Sequence, residues 1–221
     1  MPADLTVALL WLGFGASHLT LSSIPVRARL VGALGLPAFL GLYSAVAFAF
    51  FVPLIFVYFG HKHTGAVLWG LGAGPVQRWI VYLGMGVAFV LFVSSLLRPS
   101  PAGIVAGSPT PYGVYRITRH PQNMALALFG LLHLVPNGTG TDVAFFGGFI
   151  VFGLVGSWHQ DRRKLAAGAP GFAGFVAGTP FLPFTGRETL RGLRELSPVA
   201  LGLGIGAAVL VRYFHGAWFG G

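Results

Sequence analysis

Six stretches of this chain carry almost no charge over the length of a membrane crossing. They fall near 3–22, 31–59, 76–97, 121–136, 142–159 and 197–215. A bilayer core about 30 Å thick takes roughly 20 apolar residues per helical crossing. The runs are continuous, without the period-two alternation of barrel strands, so they predict helices. The fourth run is short. The second is long and holds Pro37 and Pro53, which predicts a tilt or kink. Composition agrees: 55% of residues are apolar and 9% charged, against roughly 45–50% and 25% in a typical soluble domain. So few charges cannot cover a soluble globule of 221 residues. The expectation is an all-α, polytopic membrane protein with about six transmembrane helices in one bundle, a single domain over 1–221.

The net charge of +9 would suggest nucleic acid in a soluble protein. Here the basic residues sit between apolar runs, where topology and anionic lipid account for them and nucleic acid does not. With six crossings, Arg27, Arg29, Arg98, Arg116, Arg119, Arg162, Arg163, Lys164, Arg187, Arg191 and Arg194 share one side. Lys62, Arg78 and Arg212 take the other. The positive-inside rule makes the richer side cytoplasmic and both termini periplasmic, as in a bacterial inner membrane. The first basic residue, Arg27, follows the first run, so that run reads as a retained span rather than a cleaved signal. Two cytoplasmic connections are long. Residues 98–120 are rich in Pro, Ser and Gly, and residues 160–196 carry Phe172, Phe175, Phe181 and Phe184, which predicts a membrane-surface segment.

No cysteine is present, which excludes disulfides, thiolate nucleophiles and Cys-ligated metals. The ionisable groups inside the runs are almost all histidines, and ionisable groups inside a membrane mark function by default. From Arg27 and Arg119 as surface markers, His18 lies roughly 13 Å deep and His133 roughly 21 Å deep at about 1.5 Å per residue. Two imidazoles near the midplane on different helices suit a bis-imidazole clamp on a b-type heme. The same placement also suits plain interhelical hydrogen bonds. His61 and His63 flank Lys62 as an H-x-H pair, fit for a metal or for a solvated loop, and His215 is placed near the same surface. His120 and His159 sit at cytoplasmic helix mouths beside Arg119 and Asp161, where a His–Asp bond or a capping cluster is expected.

Two strings concentrate polar groups: Tyr115-Arg116-Ile117-Thr118-Arg119-His120-Pro121-Gln122-Asn123 and Trp158-His159-Gln160-Asp161-Arg162-Arg163-Lys164. The short Asn137-Gly138-Thr139-Gly140 turn makes a hairpin of the fourth and fifth spans, so both strings emerge together. A clasp of Asp161 on Arg116 or Arg119 is expected.

These strings, with His133-Leu134, Asn137-Gly138 and the first-span His18-Leu19, Ser22-Ser23 and Arg27, make the chain similar to the NnrU membrane-protein family over essentially its whole length. That family includes proteins linked to nitric oxide metabolism and denitrification, and the 15-cis-zeta-carotene isomerases, which carry heme b. The resemblance implies axial ligands at His18 and His133. It implies Arg116, Arg119 and His120 as residues that orient helices or bind the heme carboxylates. It further implies cis–trans isomerisation of a carotenoid, with one histidine released on reduction so that iron engages the polyene. A role with nitric oxide on the same heme is the alternative. The chain departs from the isomerases at Trp158-His159-Gln160, before the Asp-Arg-Arg string, and lacks their long N-terminal targeting region. The Arg-His-Pro motif also resembles that of S-adenosylmethionine-dependent membrane methyltransferases. Those place an aromatic and a Gly after the motif and end on paired glutamates, where this chain has Gln122-Asn123 and Gln160-Asp161.

Overall fold

The computed structural model describes residues 1–72, 74–103 and 107–220. Its helices are α1 (Ala3–Ser22), α2 (Ile24–Leu34), α3 (Leu36–Gly60), α4 (Pro75–Leu97), α5 (Val114–Ile117), α6 (Pro121–Leu134), α7 (Gly140–Ala166), α8 (Phe172–Gly178), α9 (Thr189–Arg194) and α10 (Pro198–Phe219). Among the described residues there is no strand, only an isolated Val67–Thr139 bridge. Proline starts five of these helices, α2, α3, α4, α6 and α10, where its missing N–H is harmless and its φ is already helical. Capping is reciprocal at α7, where Thr139 and Asp142 exchange side-chain and backbone bonds.

Five helices, α1, α3, α4, α7 and α10, are long and apolar enough to cross a membrane. The expected fourth crossing is α6, with only 14 residues, about 21 Å at ~1.5 Å per residue. It runs between the two polar ends nonetheless. His120 before it meets Asp161, and Trp69 meets the carbonyl of Leu134 at its far end. Its short length is accommodated because α6 packs against α4 and α7 within the bundle. The expected second run, 31–59, is cut at Gly35, whose φ of 79° favours glycine. Pro37 therefore opens α3 and only Pro53 lies inside it.

The helices pack in the order α3, α1, α7, α6, α4, α10. Lys62 donates to the carbonyl of Phe219 at 2.6 Å and Phe59 stacks on Phe219 at 6.2 Å, so the two ends of this row meet at one face of the bundle. Asp4 lies beside Gly65 and Gly140 at that face. Both helical termini of the chain therefore share one end. Close approach of α6 and α7 rests on glycine: a Cβ on Gly130 would strike the carbonyl of Phe146, and one on Gly153 that of Asn123. Backbones that touch this way gain dispersion contact where water supplies no driving force.

Two cores follow. Val7, Trp11, Phe14, Leu54, Tyr58, Phe145, Phe146 and Phe149 form an aromatic core between α1, α3 and α7. Leu91, Val114, Tyr115, Ile117, Phe172 and Phe175 form a second at the basic end. Phe172 and Phe175 are thus buried in the protein, at 1% exposure each. The segment 160–196 was expected at the membrane surface, yet it folds α8 inward, because these two rings fill the space beside Tyr115. Only Phe184 of that series is strongly exposed, with a φ of 65°.

Candidate functional site

Helical geometry places residue i+4 over the carbonyl of residue i, and both deep histidines use that contact. His18 Nδ1 lies 3.1 Å from the carbonyl of Phe14, and His133 Nδ1 lies 2.9 Å from that of Phe129. A carbonyl only accepts, so each Nδ1 carries the proton and donates it. In the neutral ring Nε2 then holds a free lone pair. This is the tautomer a metal-ligating imidazole needs, with the other nitrogen anchored to fix the ring.

The surroundings are aromatic. The His18 ring lies 4.2 Å from Phe14, 4.8 Å from Tyr43 of α3 and 5.3 Å from Phe152 of α7. The His133 ring lies 4.2 Å from Phe129, 4.9 Å from Phe146 of α7 and 6.4 Å from His215 of α10. Phe146 and Phe152 are six residues apart, so the two sites differ in depth by about 9 Å along α7 at ~1.5 Å per residue. Rings connect them: Phe14 to Trp11 at 5.6 Å, Trp11 to Phe149 at 4.8 Å, Phe149 to Phe129 at 5.1 Å. His18 and His133 thus flank one aromatic core from opposite sides, and the imidazole beside His133 belongs to His215.

The polar strings meet at the other end of α6. Arg119 Nε donates to Asp161 at 2.7 Å and its Nη1 to the carbonyl of Thr179 at 2.8 Å. His120 Nε2 lies 2.8 Å from the second Asp161 oxygen. The clasp on Asp161 is therefore made by Arg119. Arg116 turns away, its Nε 2.8 Å from Glu195 and its Nη1 3.1 Å from Glu188. His159 does not join Asp161; its Nε2 meets the Ser22 hydroxyl at 3.1 Å. Arg116, Arg119 and His120 are all engaged by carboxylates of this chain. Nearby, burial pushes the Tyr115 hydroxyl up to about 12, so it remains a neutral donor to the carbonyl of Arg98. Glu195 is held below the ordinary glutamate value by the Gly113 N–H, then by Arg116 and Arg191.

At the opposite end His61 and His63 part. His61 Nδ1 donates back to the carbonyl of Val57 at 2.9 Å, and His63 Nδ1 meets Asp142 at 3.1 Å. Among the described residues, no group of three or more His, Cys, Asp or Glu is arranged to hold a metal ion. His215 faces His133 instead of joining the H-x-H pair. Packing finds it, because α10 lies beside α4 and α4 beside α6, which brings His215 to His133. Nothing local in the sequence announces Glu188 and Glu195 as partners of Arg116.

The NnrU protein family matches residues 6–221 of the chain. The chain is similar to the chloroplastic 15-cis-zeta-carotene isomerase of Arabidopsis thaliana, 25% identical over 196 residues, covering 85% of this chain and 52% of that protein. It is similar to the chloroplastic 15-cis-zeta-carotene isomerase of Zea mays, 27% identical over 156 residues, covering 67% and 43%. The chain thus spans about half the length of these relatives. No solved structure matches it.

Proposed function

Because the chain belongs to the NnrU family, matched over residues 6–221, we propose that it is a membrane carotenoid isomerase that binds a b-type heme through His18 and His133. The observation that carries the reading is the shared bond pattern of the two histidines. Each donates Nδ1–H to the carbonyl four residues back and keeps Nε2 free in an aromatic, water-poor interior. That donor set fits an axial ligand of heme at each histidine, while the packed rings of Trp11, Phe14 and Phe149 between the two would have to part for one macrocycle to take both. When bound, the heme supplies an iron centre able to engage a polyene double bond and lower its barrier to rotation.

The chain's own residues do the rest. Trp11, Phe14, Phe129 and Phe149 pack on one another between the two histidines and keep water from them. The carbonyl bonds of Phe14 and Phe129 hold the two imidazoles against rotation. Arg119, His120 and Asp161 tie the start of α6 to α7, which fixes the helix that carries His133. The substrate enters from lipid, since the hydrocarbon is insoluble elsewhere. The protein sits in a bacterial inner membrane with its termini periplasmic and the larger share of its 14 Lys and Arg residues cytoplasmic.

One observation favours a second ligand pair. The ring centroids of His133 and His215 are 6.4 Å apart with planes 24° from parallel. Two imidazoles on opposite sides of one metal at about 2.0–2.1 Å per bond span a similar distance. The absorption spectrum of the purified chain separates these arrangements. A Soret band lost in His18→Ala and His133→Ala and kept in His215→Ala supports the first pair. Loss in His133→Ala and His215→Ala, with His18→Ala unchanged, supports the second. An unchanged spectrum in all three variants refutes heme ligation by these residues. Incubating the reduced protein with 15-cis-zeta-carotene and resolving the isomers by chromatography tests the activity, and a parallel nitric oxide titration tests the gas-ligand alternative.

A further inference from the structure

Where α1 turns into α2, Ser22, Arg27, Phe39, Tyr43, Arg163 and Lys164 line a cavity of about 300 Å³. Three cations therefore border one space. The five carboxylates of the chain are all placed elsewhere. Asp161 is taken by Arg119 and His120, and Glu188 and Glu195 by Arg116 and Arg191. Asp142 pairs with His63, and Asp4 lies at the far end beside Gly65. Among the described residues, no ion pair reaches Arg27, Arg163 or Lys164. The Nε of Arg163 is moreover buried without a hydrogen-bond partner in the protein.

An unpaired buried guanidinium donor is costly, and like charges crowded around it add repulsion. Such a cluster is stable when an anion completes it. The planar guanidinium fork matches the oxygens of a phosphate, and Lys adds a point charge. The Tyr43 hydroxyl, which also lines the cavity, supplies a further donor. The floor is apolar, with Phe39 and Leu40 of α3. The exposed side chains of Ile24, Leu34 and Leu36 lie on the same connection. Hydrocarbon surface directly under a basic cluster, at the ends of α1, α3 and α7, is the setting of a lipid headgroup.

We propose that this cavity binds the phosphate of a membrane phospholipid, with Arg163, Arg27 and Lys164 as its donors and the acyl chains running down α3. The proposal is independent of heme and of isomerisation, because none of these three residues takes part in either.

The test is lipid binding by the full chain in detergent, read by native mass spectrometry. Dioleoyl phosphatidic acid, dioleoylglycerol and inorganic phosphate are the three probes. Arg163→Gln and Arg27→Gln are compared with Arg162→Gln, which removes one charge from the same turn but stacks over Trp158. The expected result is binding of phosphatidic acid over dioleoylglycerol. It weakens about tenfold in Arg163→Gln and in Arg27→Gln, the size of one charge-assisted bond, and stays within about twofold in Arg162→Gln. Inorganic phosphate that binds with the same Arg163 dependence, while phosphatidic acid has no advantage over it, makes the ligand a free phosphate and overturns the lipid assignment. Equal loss in all three variants, or none in any, overturns the site. The unfolding temperature of lipid-free Arg163→Gln guards against misfolding. It is expected at or above that of the parent, since one unpaired cation has been removed.

Discussion

His120 Nε2 and Asp161 Oδ1 lie 2.8 Å apart across the α6–α7 hairpin, with the histidine 4% and the aspartate 6% exposed. Arg119 holds the other carboxylate oxygen at 2.7 Å. One buried acid therefore satisfies a buried histidine and a partly buried arginine on the segment that opens α6. Asp161→Ala leaves His120 Nε2 without a partner and Arg119 with only the Thr179 carbonyl. Breaking a buried pair from one side costs about 3–5 kcal/mol, so this variant is expected to unfold well below the parent in detergent. Glu188→Ala, which breaks the half-exposed pairs with Arg116 and Arg191, is expected to cost about 0–1 kcal/mol. Comparable losses in the two variants would show that the clasp is not what secures α6.

Trp11 provides a second, sterically defined test. Its indole N–H donates to the carbonyl of Phe145 at 3.0 Å, and the ring lies directly where a Cβ on Gly148 would stand. Gly148→Ala must push the indole out of its seat. Overpacking of this kind costs about 1–3 kcal/mol, and the lost hydrogen bond adds to it. The neighbouring Gly147 meets nothing within 4 Å, so Gly147→Ala should be neutral or slightly stabilising. Thermal unfolding of the pair, with tryptophan fluorescence, checks both.

Five crossing helices were legible because a bilayer demands continuous apolar length and they offer it, whereas the sixth expected crossing is the 14-residue α6. The Asp161 clasp was legible because the Asn137–Gly140 turn forces both strings to one end. Arg116 was not: its partners Glu188 and Glu195 lie 72 and 79 residues away, and no local pattern encodes that fold-back. The inward turn of Phe172 and Phe175 escaped for a similar reason, since an aromatic beside Gly and Pro reads alike for a membrane surface and for a small buried core. The place of His215 depended on how α10 packs. Its facing of His133 needs α10 to lie beside α4 and α4 beside α6.

Glu195 gives a dependence on pH. Its carboxylate accepts the Gly113 N–H at 2.8 Å, Arg116 at 2.8 Å and Arg191 at 2.9 Å, and these hold it below its ordinary value of 4.5. A group with a lowered folded value stabilises above its unfolded value and loses that contribution as pH falls through the folded one. The parent should therefore lose part of its stability below about pH 4.5. Glu195→Gln should be less stable near neutrality and show a shallower acid limb. Unfolding curves from pH 7 down to about pH 3 decide this, and parallel limbs for the two proteins would mean that the α5–α9 contact carries no proton linkage.

Asp142 is the opposite pole of the bundle and the last test. It is fully buried and receives Tyr58 at 3.0 Å, His63 at 3.1 Å and the Thr139 hydroxyl at 2.7 Å. Tyr58 in turn stacks on Phe145 at 3.8 Å with planes 3° apart, so this carboxylate joins the α7 cap to the aromatic core that His18 and His133 flank. Asp142→Ala removes the carboxylate half of the α7 capping box and orphans the Tyr58 hydroxyl, and the sum is expected near 3–5 kcal/mol on the scale of a broken buried network. His63 is half-exposed, so water replaces its bond, and His63→Ala should cost about 1 kcal/mol or less. If heme is bound as proposed, Asp142→Ala should also blur the Soret band by loosening the α7 rings against His133, while His63→Ala leaves it intact. A sharp band in Asp142→Ala at parental intensity would show that the core around His133 is held independently of this end.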